Sequence, residues 1–87
     1  MHVSPEVAIY PMGTVVKLTG VEAAKLRFWE AKYGLILPAR DPMGRRLYSK
    51  NDVKRIRHIT ALLAHGLNLL VVSGMLEAEE QRELQRV

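Results

Sequence analysis

Eighty-seven residues, 48% of them apolar, are enough for one small domain with a modest core. The lack of cysteine excludes a disulfide framework and a thiolate metal site, and no apolar run is long enough to cross a bilayer. The net charge of +4 is unevenly spread: residues 17–57 hold eleven of the thirteen Lys and Arg against four acids, a local +7, while residues 77–87 carry −2. A basic stretch interleaved with aromatics is the footprint of a polyanionic partner, or else a solvated basic surface.

The first eleven residues have no basic region followed by a long apolar core, so no signal peptide is expected and the cytoplasm is the simplest compartment. Pro5 and Pro11 argue against a continuous helix there. Val3, Val7, Ile9 and Tyr10 are left to form a short strand, to pack on the domain, or to meet a second subunit. Residues 12–18 read as a short helix with Met12, Val15 and Leu18 on one apolar stripe. Thr19-Gly20 supplies a turn, and 21–32 reads as a second helix stopped by Gly34.

At about 100° per residue, Leu26, Trp29 and Tyr33 share the core side of that second helix, and Lys25, Arg27 and Phe28 fall on or beside the opposite side. Glu30 lies on the flank. It either pairs with an arginine of the following hairpin or makes an ordinary surface ion pair of little worth. Residues 36–40 and 46–48 read as strands joined by Asp41-Pro42-Met43-Gly44, whose order of Asp, Pro and Gly suits a type I turn.

Ser49 to Asp52 resembles a capping box opening a third helix, with Val53, Ile56, Ile59, Thr60 and Leu63 inward and Lys54, Arg55 and Arg57 outward. Gly66 sits at a left-handed cap, and Asn68 caps a fourth helix whose Leu69, Val72, Met75 and Leu76 close the core. Leu70 and Val71 give this helix a second apolar face, which implies a partner surface or a fully buried helix. Residues 77–87 are helical by propensity but too polar for a sustained heptad. The expected fold is therefore mainly α: a winged helix-turn-helix with a short two-stranded β wing and two further helices. It divides into an arm (1–11), the winged helix-turn-helix domain (12–76) and a polar helical tail (77–87).

Nothing in the chain assembles an active site. His2, His58 and His65 have no acidic or Cys partners at metal-ligand spacing, and there is no Gly-rich phosphate loop or nucleophile beside a base. No enzyme activity, metal or cofactor is expected. A helix-turn-helix puts its second helix in the major groove, so Glu22, Ala23, Ala24 and Lys25 are candidates to read bases. Lys17, Arg27, Arg45, Arg46, Tyr48 and Lys50 are candidates for phosphates, and Phe28 either packs against sugar or is buried. Val3, Val7, Ile9, Leu70 and Val71 are candidates for a dimer or partner surface. Three functions compete: a DNA-binding transcription regulator, an excisionase-type architectural factor, and a protein-interaction adaptor that binds no DNA.

Leu26-Arg27-Phe28-Trp29-Glu30, Gly34-Leu35-Ile36, Pro38, Arg40 and Gly44-Arg45-Arg46-Leu47-Tyr48-Ser49 together resemble the DNA-binding domain of MerR-family transcription regulators. Met12-Gly13, Leu18-Thr19-Gly20-Val21 and Asp52-Val53 fit the same ordered pattern, so the resemblance covers about residues 10–76. It implies a homodimer on a palindromic double-stranded DNA operator, with RNA polymerase at the promoter as a further partner and no membrane association. Members often carry a tyrosine at the place of Phe28, whose hydroxyl meets a phosphate; Phe28 lacks that hydroxyl.

Overall fold

The computed structural model of the chain describes residues 4–85, so Val3 of the expected partner surface lies outside the described residues. In chain order the elements are strand β1 (Ala8–Pro11), helices α1 (Met12–Thr19) and α2 (Ala23–Phe28), a π-helical turn (Trp29–Tyr33), strands β2 (Ala39–Arg40) and β3 (Arg46–Ser49), and helices α3 (Lys50–Ala64) and α4 (Leu69–Gln85). This is a winged helix-turn-helix.

The turn between α1 and α2 is built locally. Thr19 donates its hydroxyl to the Val15 carbonyl at 2.8 Å and accepts the Val21 N–H at 3.2 Å. Gly20 takes the left-handed conformation, φ 74°, that ends α1. Val21 and Glu22 are therefore part of the turn and cap rather than of the second helix, which begins at Ala23 instead of residue 21. At the far end the helix widens into the π-turn, and Gly34, φ 58°, terminates it while the Leu35 N–H returns to the Trp29 carbonyl at 3.2 Å.

The wing is one edge of a three-stranded antiparallel sheet in the order β1-β3-β2. The arm forms a strand: Tyr10 pairs with Tyr48 and Pro11 with Leu47, with an irregularity between Ala8 and Tyr10. On the other side Ala39 pairs with Leu47 and Arg40 with Arg46. Strand β2 is shorter than the expected 36–40, because Leu35 and Ile36 turn inward to join the core at 2% exposure each.

Helix α3 opens with both halves of the expected capping box. Asp52 N donates to Ser49 Oγ at 3.0 Å and Ser49 N donates to Asp52 Oδ2 at 2.8 Å. Val53, Ile56 and Ile59 are buried, but Thr60 is exposed and donates its hydroxyl back to the Ile56 carbonyl at 2.9 Å. Asn68 accepts the Val71 N–H at 2.9 Å and caps α4. Helix α4 continues without a break at 76 into the tail, burying Val72 and Leu76 while Met75 stays 38% exposed, contrary to its expected core role.

Arg55, expected outside, is half-buried. It donates to the Leu35 carbonyl and pairs with Glu80 at 2.7 Å, tying α3, the loop after the π-turn and α4 together. No helix among the described residues is long and apolar enough to cross a membrane.

Candidate nucleic-acid interface

The core fixes which face of α2 is free. Leu26 and Trp29 are buried at 1% and 3% exposure, so Glu22, Ala24, Lys25, Arg27 and Phe28 are left on the surface and Ala23 half-exposed. Phe28 is 46% exposed, which rules out the buried alternative. Its ring meets Tyr33 edge-on at 6.0 Å, with the Lys32 ammonium 5.6 Å from its centroid. Arg27 lies over α1, its Nη1 3.8 Å from Met12 Sδ.

The wing tip is held by one carboxylate. Asp41 Oδ1 accepts the N–H groups of Met43 and Arg45, and Oδ2 accepts Arg45 Nε, all at 2.9 Å. The Gly44 N–H closes the expected turn onto the Asp41 carbonyl at 2.9 Å, with Gly44 at φ 82°. The backbone N–H of Arg45, followed by its guanidinium, holds the Asp41 carboxyl below its usual range.

Glu30 joins this wing to the recognition helix. Its Oε1 accepts Arg46 Nε at 2.7 Å and its Oε2 accepts an Arg40 nitrogen at 3.4 Å. Arg40 and Arg46 are direct cross-strand neighbours, an arrangement that repels on its own. The carboxylate between them offsets that repulsion, and its hydrogen bond raises the Arg46 pKa above its ordinary value. Arg40 also donates to the Gly44 carbonyl at 3.0 Å. Glu30 thus pairs with the wing, and Arg40, outside the expected site residues, belongs to the same cluster. The available signal was the strand register, which sets Arg40 opposite Arg46.

Arg40, Arg45 and Arg46 line a cleft with Pro11, Met12 and Gly44, of about 370 Å3. The Met12 contact of Arg27 extends the cluster onto α2. Lys17 is exposed in the last turn of α1. Lys50 lines a separate groove with Tyr10 and Leu18 instead of joining the wing arginines. Tyr48 is a correction: at 1% exposure its ring is core rather than a phosphate clamp. It lies two residues deeper along β3 than Arg46, beside Tyr10, and burial pushes its hydroxyl pKa up. Among the expected partner residues, Val7, Ile9, Leu70 and Val71 are 47%, 42%, 71% and 45% exposed. Among the described residues no group of three His, Cys, Asp or Glu is placed to hold a metal ion.

A short helix-turn-helix with an arginine-lined wing beside its second helix defines the class: a winged helix-turn-helix protein with a basic recognition face. Residues 10–79 match the family model described as "MerR HTH family regulatory protein", and the chain belongs to that family. The HTH-type transcriptional regulator MlrA of Escherichia coli (strain K12) is 35% identical over 72 residues, which cover 83% of this chain and 30% of that protein. The HTH-type transcriptional regulator GlnR of Bacillus cereus is 35% identical over 74 residues, 85% of this chain and 57% of that protein. The HTH-type transcriptional repressor CarA of Myxococcus xanthus is 32% identical over 72 residues, 80% of this chain and 25% of that protein. The chain thus spans less than a third of MlrA and CarA and just over half of GlnR.

Proposed function

We propose that this chain is the DNA-binding domain of a transcription regulator that recognises a specific double-stranded sequence. Helix α2 enters the major groove, with Glu22, Ala23, Ala24 and Lys25 at the base edges. Arg27, Arg45 and Arg46 hold phosphates and set register, with Lys17 and Lys50 as outlying contacts. Phe28 packs against sugar without donating a hydrogen bond. The observation that carries this reading is the arginine-lined cleft between the wing and the start of α1, continuous with Arg27 on α2.

The regulator acts as a homodimer on a palindromic operator, where RNA polymerase is a further partner. Exposed apolar side chains on β1 and α4 supply material for the dimer contact, and symmetric dimers are the usual outcome of such self-association.

Selection from a random DNA pool, followed by titration at several salt concentrations, tests the reading. We expect an enriched inverted repeat and a log–log salt slope of roughly −0.9 per phosphate neutralised. No enrichment together with a flat salt response overturns it.

A further inference from the structure

We propose that a second groove, between β1, α1 and α3, docks an acidic amphipathic helix of another protein. Its floor is apolar, made by Tyr10, Leu18 and Val53, and its rim is cationic, made by Lys50, Lys54 and Arg57, around a space of about 260 Å3. Leu18 shares the apolar stripe of Val15, yet Val15 is fully buried and Leu18 is 43% exposed. Arg57 donates to the Leu18 carbonyl at 3.0 Å, which fixes one rim cation against the floor.

The cations of this groove have no ion-pair partner among the described residues. Among the described residues no carboxylate lines it. Among the described residues Lys50, Lys54 and Arg57 form no ion pair, whereas Glu30, Asp41 and Glu80 are paired to other arginines and Asp52 caps α3. The wing cleft differs, because each of its arginines already meets Glu30 or Asp41. The groove beside Arg55 differs too, since Glu79, Glu80 and Glu83 line it.

Geometry separates the groove from the wing cleft. Successive strand residues project to opposite faces, and Pro11 lines the cleft while Tyr10 lines the groove. Leu18 stands six residues beyond Met12, about 9 Å further along α1. An amphipathic helix uses both parts, with carboxylates on the rim and apolar side chains on the floor. Lys50, Lys54 and Arg57 follow one another at i, i+4 and i+7 on α3, a row about 10 Å long, which matches acids repeated at the same spacing on a partner helix. Lys50 is shared with the DNA reading as an outlying contact, but Lys54, Arg57 and the apolar floor are not, so the inference rests on them.

The test uses the full chain and a fluorescein-labelled synthetic helix carrying Glu at i, i+4 and i+7 and Leu at i+3, with a scrambled peptide of the same composition as control. We expect saturable binding by anisotropy and amide shifts at Leu18, Val53, Lys54 and Arg57. Lys54→Glu should weaken it about tenfold or more, with Lys54→Gln as the milder variant should the first melt early. Lys32→Glu, an exposed cation on the π-turn, should leave it unchanged.

Equal binding of the scrambled peptide, or full affinity in Lys54→Glu and Lys54→Gln, overturns the proposal. So does a loss of duplex affinity in Lys54→Glu with peptide binding intact, which assigns the groove to nucleic acid. Dissociation of a wild-type dimer by Leu18→Asp in sedimentation assigns it to a second copy, and the proposal falls in that case also.

Discussion

Glu30 on the π-turn accepts Arg46 Nε of the wing at 2.7 Å, across sixteen residues of sequence, with both side chains four-fifths buried or nearly so. This bond couples the orientation of the wing to that of the recognition helix. A half-exposed wing pair would contribute little. Partial burial and the shared Arg40 place this one higher. A double-mutant cycle on Glu30→Ala and Arg46→Ala in urea should give a coupling energy of about 1–2 kcal/mol. Strictly additive losses would mean that the pair is incidental to the fold.

Arg27 and Trp29 are two residues apart with opposite environments. Trp29 is 3% exposed, and truncation of a buried Trp costs about 3–5 kcal/mol, a large share of the stability of a domain this size. Trp29→Ala should unfold or nearly unfold the chain. Arg27 is exposed, so Arg27→Ala should change stability by within about 0.5 kcal/mol while weakening DNA binding across many sequences alike. Thermal melts and duplex titrations on the two variants decide the facing of α2; a normally folded Trp29→Ala would reverse it.

Tyr48→Phe isolates the burial of Tyr48 from any contact with DNA. The residue is 1% exposed and is not among those that line the wing cleft. Duplex affinity of the variant should equal that of wild type within about twofold, a difference of about 0.4 kcal/mol. A tenfold loss in the same titration would return the hydroxyl to the interface.

Acid should loosen the wing tip before it unfolds the domain. The Asp41 carboxyl is held below its ordinary value by hydrogen bonds from Arg45 and Met43. A depressed folded-state pKa contributes stability that is fully present above the unfolded value, about 3.9, and is lost as pH falls through the lower folded value. An NMR titration should show the Met43 and Arg45 amide signals moving below pH 4 while those of Ile56 and Ile59 stay native. Wing amides unchanged down to the global acid transition would contradict this.

Gly74 lies inside α4, is exposed, and an added Cβ there meets nothing within 4 Å. Glycine in a helix interior costs roughly 0.5–1 kcal/mol relative to alanine. Gly74→Ala should raise stability by about that amount in a denaturant titration. A loss would show that this helix needs the flexibility of glycine.

By itself the sequence determined the features that short-range physics settles. The Ser49–Asp52 capping box, the Asp41–Gly44 turn, the Asn68 cap and the stop at Gly34 each depend on hydrogen bonds or backbone angles a few residues apart. Helical periodicity was likewise enough to turn Trp29 inward and Arg27 outward. Tertiary structure alone decided the features in which distant segments compete.

Glu30 had several arginines of equal charge to choose from, and strand register selected Arg46 and Arg40. Backbone pairing with β3 made the arm a strand. That same pairing helped to cover Tyr48. In a strand this short, the pattern beside the wing tip did not distinguish a clamp from a core residue. Leu18 and Met75 kept the right helical spacing for burial yet stayed exposed. Periodicity gives the direction of a side chain; whether another element lies in that direction depends on how α1 and α4 pack against the rest of the chain.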